Sequence, residues 1–440
     1  MRILLITYYF PPLGGAGVQR TLKFVKYLSE FGITPIVISA KEPGYPIDES
    51  LLCEVQHEIE VHRLHHTPLL TRATRIARTL LGTKKSFNEV LIQSTSTVKS
   101  KWRDRMLRAY TMGQFPDDKT GWGRQAYAKG KSILNRGNID LILSSSPPIT
   151  AHVVAARLKH RFGIPWVADF RDLWTGNPSY DVPSWRNWID RKLERKLLAN
   201  ADGVTAVTRE MVKLLEQDML AESQAIFLPN GYDEADFAGL VLTPTNKDRF
   251  VMLYTGSLYG HQSPEGILNS VRTLLQLRPD FADKLCLRFI GNIGSRFEPV
   301  FATFERDFPG IVERNAYVPH KEIPAALVNA DALLLLIGGG SSARGVLTGK
   351  VFEYLRAGRP ILLLGPKDGE AERIVEDSGW GVVHEENDIE NIADTLEQWL
   401  AGTLPQGLSA QNTIVKQFER RALTGQLAQF LRQIQRGVNV

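Results

Sequence analysis

Short apolar runs and longer amphipathic stretches alternate along this chain from end to end. RILLITYYF, residues 2–10, reads as a strand buried on both faces. The VQRTLKFVKYLSEFG that follows places Val18, Leu22, Val25 and Leu28 on one helical face. TPIVISA is a second strand. Further on, IDLILSS, the helical ITAHVVAARLKHRFG and PWVADF repeat the alternation. A helix from about Trp185 to Asn200 leads to GVTAVT, another helix and the strand AIFLPNG. This order predicts a parallel sheet covered by helices.

Around residues 238–249 the pattern lapses. GLVLTPTNKDR has no periodicity and reads as a linker. The alternation then restarts with RFVMLYTGS, the helix of PEGILNSVRTLLQLR, KLCLRFIGN, a helix through PVFATFERDF and a short strand near Val312 to Ala316. DALLLLIGG, VFEYLRAG, PILLLG, EAERIVEDSG and WGVVH continue it, strand and helix in turn. NDIENIADTLEQWLAG and VKQFERRALTGQLAQFLRQIQ close the chain as helices. Two consecutive doubly wound α/β domains are predicted. Ligands of such sheets lie beyond the carboxyl ends of the strands, and a cleft between two such domains is the default site.

Composition narrows the class. At 440 residues the chain is too long for one core, and 43% hydrophobic with 23% charged residues is ordinary for a globular protein. Lys plus Arg exceed Asp plus Glu by 53 − 48 = 5, which does not point to nucleic acid. Cys53 and Cys286 have no metal-ligand spacing, so a reducing compartment is expected. The first apolar run ends at Pro11 and Pro12, too short for a signal peptide, and no stretch approaches a membrane span. A cytoplasmic protein is expected. Charge is uneven. Between residues 72 and 108, ten basic residues from Arg72, Arg75 and Arg78 to Arg108 face only Glu89 and Asp104. Two readings stand: a solvated face, or a surface approaching anionic lipid or a diphosphate-linked acceptor, giving peripheral attachment to the inner face of the membrane.

Two stretches carry chemistry. PPLGGAGVQR follows a strand and opens a helix, so Gly14, Gly15 and Gly17 let backbone amides approach an anion. It is a poor dinucleotide fingerprint: Arg20 replaces the third glycine and no acidic residue ends TPIVISA. In TGKVFEYLRAGRP, Thr348 can cap a helix, and Lys350 sits in the first turn against the dipole, which an adjacent anion would explain. Glu353, one turn on, has acceptors for both hydroxyls of a ribose, and Gly358 ends the helix.

Taken together, YYFPPLGGAGVQR, FLPNGYDEADF, LYTGSL, GKVFEYLRAGRP and FERRALTGQL resemble the family-four glycosyltransferases, retaining enzymes of the GT-B fold. ADFRDLW and GWGRQAYAKG resemble a branch that builds bacterial polysaccharides. The resemblance implies two facing Rossmann-like domains: residues 1–237 with a returning 413–440 for the acceptor, and 248–412 for a nucleotide sugar, UDP-linked on family frequency. It implies that Glu353 holds the donor ribose. Lys350 and the amides of Arg344, Gly345, Val346, Leu347 and Thr348 would face the diphosphate, joined by Gly15, Ala16, Gly17, Gly256 and Ser257. Arg171 stands where the family carries a histidine. Asp169, Arg171 and Asp172 become candidates for gripping sugar hydroxyls, although those residue types also make a structural ion-pair corner. Gln19, Arg171, Asp172 and Trp174 would meet the acceptor, a saccharide free or on a polyprenyl diphosphate.

The chain departs from the family at two places. Gly345 stands eight before Glu353, where a first glutamate is usual. GSLYGHQSPEG supplies Ser257, His261 and Glu265 where an arginine and a lysine are usual, leaving Arg344, Lys350, His261 or Arg296 to provide positive charge. No Asp-x-Asp lies in a metal-holding context, the nearest pair being Asp117 and Asp118, so no essential metal and no cofactor are expected. Two rivals share this fold class: a nucleotide-sugar epimerase and a non-catalytic nucleotide-sugar-binding partner.

Overall fold

The computed structural model describes residues 1–65, 114–177, 180–240, 249–258, 262–316, 318–338, 343–407 and 413–437. The basic segment 72–108 and His261 lie outside them. The described chain divides into two compact units, Met1–Leu228 with Thr424–Val440, and Pro229–Leu423.

The first unit holds strands β1 (Arg2–Thr7), β2 (Thr34–Lys41), β3 (Val61–His65), β4 (Leu141–Ser146), β5 (Trp166–Phe170), β6 (Gly203–Ala206) and β7 (Gln224–Phe227). All pairings are parallel, in the order β3-β2-β1-β4-β5-β6-β7. Helices α1 (Ala16–Leu28), α2 (Thr120–Leu134), α3 (Thr150–Phe162), α4 (Ser184–Leu198) and α5 (Arg209–Glu216) belong to it. Ile3, Leu4, Leu5 and Ile6 are fully buried, which is why β1 reads as an unbroken apolar run.

The second unit repeats this plan. Its strands are β8 (Phe250–Thr255), β9 (Leu285–Ile290), β10 (Val312–Asn315), β11 (Ala332–Leu336), β12 (Ile361–Leu364) and β13 (Gly381–His384). They are parallel in the order β10-β9-β8-β11-β12-β13. The helices are α6 (Glu265–Leu277), α7 (Glu298–Asp307), α8 (Ile323–Val328), α9 (Lys350–Ala357), α10 (Glu370–Ser378), α11 (Ile389–Leu400) and α12 (Thr413–Lys416). The last helix, α13 (Arg420–Gln435), is divided between the units at Leu423 and Thr424. In each sheet the winding reverses beside the first strand, between β1 and β4 and between β8 and β11.

The domain boundaries differ from those read in the sequence. Residues 229–237 and 413–423 were assigned to the first domain, and both belong to the second unit. They bind each other there: the Tyr232 amide donates to the Phe418 carbonyl (3.2 Å), and the Arg420 amide to the Tyr232 carbonyl (2.8 Å). The Phe418 ring lies 4.8 Å from that of Phe352 on α9. Glu234 pairs with Arg356, whose guanidinium lies over Phe237. This pairing breaks the closing helix in two at residues 417–419.

Two further elements escaped the sequence pattern. β3 is an edge strand of half-exposed His and Arg positions, so it has no apolar signature. α2 contains Gly121, Gly123 and Gly130, poor helix formers in isolation. A Cβ on Gly130 would meet Leu158 Cδ1 at 2.6 Å, and one on Gly123 would strike the Thr150 methyl; both glycines let α2 lie close on α3.

The Tyr232–Phe418 seam predicts a stability change. A Cβ on buried Gly231 would overlap the Phe418 carbonyl oxygen, a backbone atom that cannot rotate away. Gly231→Ala should lower the free energy of unfolding by roughly 1–3 kcal/mol, read from urea denaturation.

Candidate functional site

In the first unit, β1 ends at Thr7 and the chain crosses to α1 through the glycine loop. The loop is pinned to the segment after β2: the Gly14 amide donates to the Pro46 carbonyl and the Asp48 amide to the Pro12 carbonyl, each at 2.8 Å. Gly15 has φ +87° and ψ 169°, a conformation open essentially to glycine, and stands at the N-terminus of α1. The first turn, opening with Ala16 and Gly17, has no side-chain cap and no acidic residue. Gln19 is half-buried.

Arg171 holds this loop in place. Its Nη1 donates to the Gly17 carbonyl, its Nη2 to the Pro147 carbonyl (2.9 Å) and its Nε to the Ser146 carbonyl (2.9 Å). It thus ties the loop after β1 to the loop after β4. Burial depresses its pKa, with the Asp169 and Asp172 carboxylates acting in the opposite sense.

Asp169 is withdrawn from the sugar-gripping role. It is 1% exposed, and its carboxylate accepts from Arg20 Nη2 (2.7 Å) and Nε (3.1 Å), Ser145 Oγ (2.7 Å) and Thr205 Oγ1 (2.7 Å). Burial opposes its ionisation, but the Arg20 charge and these hydrogen bonds prevail and hold the carboxyl below the usual range. No acceptor site is left for a sugar. The ion-pair corner open in the sequence is what stands here, and Arg20, noted only as a missing glycine, is its other half. Trp174 is also withdrawn from a surface role: it is 7% exposed and lies edge-on to Tyr180 in the core. Asp172 is exposed, and the atoms crowding its carboxyl push its pKa up despite Arg171. Asp117 and Lys119 serve the fold: the Asp117 carboxylate accepts from the Thr150 amide (2.8 Å) and hydroxyl (2.6 Å) at the start of α3.

In the second unit the predicted residues converge on the reversal point between β8 and β11. Gly256, just past β8, has φ +110°, and a Cβ there would lie 2.8 Å from Lys350 Cε and 2.9 Å from its Nζ. Glycine is required for the Lys350 side chain to run along this backbone. The ammonium donates to Tyr254 Oη (2.8 Å) and lies 4.3 Å from the centre of that ring. Among the described residues no carboxylate reaches it within 4.0 Å. Burial lowers its pKa from 10.5 to about 8, which Glu353 only partly opposes.

Thr348 Oγ1 accepts the Lys350 amide at 3.1 Å, although Gly349 and not Thr348 stands at the N-cap of α9. The Tyr354 hydroxyl accepts the Thr255 amide (3.0 Å) and fixes α9 against the end of β8. Glu353 Oε1 takes a hydrogen bond with His320 Nε2 (3.0 Å); its side chain is 20% exposed. Burial disfavours the His320 cation, but the Glu353 hydrogen bond and charge, with Asp236, outweigh it and hold the imidazole above its usual pKa. Ser257 is half-buried and its carbonyl accepts from Tyr254 Oη (3.2 Å). Arg344 is exposed and pairs with Asp368 (2.9 Å). Gly345 is half-buried, Val346 exposed and Leu347 buried. Arg296 is exposed over Phe297. Tyr254 and His320 were missed: Tyr254 sits inside LYTGSL, a quoted stretch, whereas nothing in sequence joins His320 to Glu353, 33 residues away.

Comparisons with known proteins bear on the fold. Residues 15–231 match the glycosyl transferase 4-like domain. The probable glycosyltransferase WbjE of Pseudomonas aeruginosa is 23% identical over 273 residues, covering 59% of this chain and 66% of that protein, just short of two thirds of its length. Sucrose-phosphate synthase of Thermosynechococcus elongatus superposes with a TM-score of 0.63 at 14% identity over 98% of both chains. The Anabaena protein HepE, solved with UDP, gives 0.59 at 16% identity over 98% of this chain and 100% of that one. The chain has the GT-B fold of these structures, and the match to the glycosyl transferase 4-like domain spans most of its first unit.

The buried ion pair makes a prediction that separates structure from catalysis. Asp169→Ala strands the Arg20 guanidinium in the core and should cost about 3–5 kcal/mol of stability. Chemical denaturation tests it; an unchanged unfolding midpoint with lost ligand binding would return Asp169 to the site.

Proposed function

We propose that this chain transfers a sugar from a UDP-sugar to a saccharide, free or carried on a polyprenyl diphosphate, with retention of anomeric configuration and without an essential metal. It would act in the cytoplasm, in assembly of a bacterial surface polysaccharide. The observation that carries this is Lys350. A half-buried ammonium that no carboxylate among the described residues approaches within 4.0 Å, set against bare glycine backbone at the carboxyl end of a doubly wound sheet, is suited to an incoming diphosphate. HepE, solved with UDP and with UDP-glucose, supports the choice of carrier.

In the reaction the bond from the anomeric carbon to the diphosphate breaks and negative charge grows on the departing oxygen. Lys350 and the amides at the start of α9 would stabilise that charge as fixed positive groups. The acceptor hydroxyl attacks from the same face, and its proton passes to the departing phosphate oxygen. No side-chain nucleophile is called for. The Glu353 carboxylate, held on one oxygen by His320, would offer the other to a ribose hydroxyl. In the first unit, Gly15, Ala16 and Gly17 form a separate loop of backbone amides, and Arg171 keeps that loop in shape. Gln19 and Asp172 remain for the acceptor.

A non-catalytic, nucleotide-sugar-binding role is the second reading. Gly345 offers no carboxylate where the resembling family has one, and the Arg344 charge is already matched by Asp368. Labelled nucleotide sugars incubated with lipid extract decide between them. Transfer with diphosphate release supports the proposal, binding without turnover supports the second reading, and inversion at C2 would mean an epimerase. Chelator should leave transfer unchanged.

Two expectations concern UDP binding. The protonated amine binds the diphosphate, so affinity is steady below the free-state pKa of about 8 and weakens above it. The limit is about tenfold per pH unit. Calorimetric titration between pH 7 and 9 should show this fall, and Lys350→Met should remove both the binding and its pH dependence while leaving the unliganded Tm no lower. Glu353→Ala should weaken UDP by about 1.5–3 kcal/mol in the same titration; equal affinity would remove Glu353 from the ribose.

A further inference from the structure

We infer that the exposed face of α4 is a docking surface for an anionic lipid bilayer. Trp185, Trp188 and Ile189 follow each other at i, i+3 and i+4 and are 56%, 61% and 36% exposed. Large apolar side chains seldom stand together in water without a partner. The same stripe continues one and two turns on as Lys192 and Lys196, both exposed. The face therefore has an aromatic half and a cationic half in line.

The opposite face accounts for the helix's own packing. Leu197 and Leu198 are buried in the core. Both carboxylates of α4 also point inward. Asp190 is fully buried and takes Arg186 Nε at 2.5 Å, while Glu194 is 7% exposed and takes the Thr175 hydroxyl. All acidic charge of the helix is thus withdrawn, and Arg191, Lys192, Arg195 and Lys196 remain exposed. Arg195 pairs with Asp218 at 3.0 Å. Phe115, 42% exposed, adds apolar surface at the start of the helix, where the Arg186 guanidinium lies over its ring.

The sign of the charge selects the occupant. A second copy of this face would carry the same net positive charge, so pairing two of them is electrostatically opposed. A bilayer with anionic headgroups matches both halves: indole rings favour the boundary between acyl chains and headgroups, and lysines reach past it to the phosphates. Lys192 Nζ already lies 3.6 Å from the centre of the Trp188 ring, an arrangement in which stem and ring can enter together while the ammonium stays at the headgroup level. Each basic residue near an anionic surface contributes attraction that salt screens. The residues named here are not those of the basic segment 72–108, and the inference does not depend on the reaction proposed above.

The test is flotation of the full-length protein with vesicles of phosphatidylethanolamine and phosphatidylglycerol, against vesicles of phosphatidylcholine alone. The parent should float with the anionic vesicles and less so as salt rises. Trp185→Ala with Trp188→Ala, and separately Lys192→Glu with Lys196→Glu, should each reduce flotation by about tenfold or more. These side chains are exposed, so the Tm should not move, and UDP affinity should stay at the parent value. The inference is overturned if the parent ignores anionic vesicles, or if both double variants float as the parent does. It is also overturned if only reversal of Arg72, Arg75 and Arg78 lowers flotation, or if light scattering shows a dimer that the tryptophan variant dissolves.

Discussion

A parallel sheet that winds outward from its middle in both directions leaves an opening where the two windings part. Neighbouring loops there run to opposite faces, and the carboxyl ends of the strands are uncovered. Both units of this chain are built on that constraint, with the reversal beside β1 in one and beside β8 in the other. Everything chemically distinctive lies at these two openings. They are treated in opposite ways, and the contrast is electrostatic.

In the first unit the charge is matched. Arg20 on α1 reaches Asp169 at the end of β5, and Ser145 on β4 and Thr205 on β6 complete the carboxylate's hydrogen bonds. Burying two ions is costly, and the cost is offset only where geometry and hydrogen bonding are this complete. Arg171, one strand-end further, spends its guanidinium on three carbonyls and so fixes where the glycine loop can stand. This half of the molecule is rigid scaffolding for a loop of backbone amides.

In the second unit, no carboxylate among the described residues lies within 4.0 Å of the Lys350 ammonium. Lys350 has a tyrosine hydroxyl and a ring face as company, and its lowered pKa measures what burial costs the cation. Holding a cation there costs the fold stability, because burial disfavours the charged amine. Sites that bind ligands tolerate such local destabilisation because the ligand relieves it. Gly256 makes the approach feasible, with a positive φ and no side chain in the way, and Gly291 leaves room for the Gly256 carbonyl.

The strands were legible in the sequence because both faces of a parallel sheet are covered, so RILLIT and ALLLL read as apolar without alternation. The glycine loop and the Gly358 stop were legible for a local reason: each depends on backbone within a few residues. β3 was not, because an edge strand need not be apolar, and α2 was not, because its glycines answer to α3 and not to helix propensity. The division of the last helix was hidden in Tyr232, nearly two hundred residues away from its partner Phe418. By itself, then, the sequence determined the element types, the doubly wound plan and the residue chemistry gathered in its motifs. Only the tertiary structure decided which of those charges are spent and which are held in reserve, that Asp169 is closed by Arg20 while Lys350 stays open, and that two tryptophans of α4 face outward. Local propensity is a property of neighbours in the chain, whereas the matching of a buried charge depends on partners that folding alone brings within reach.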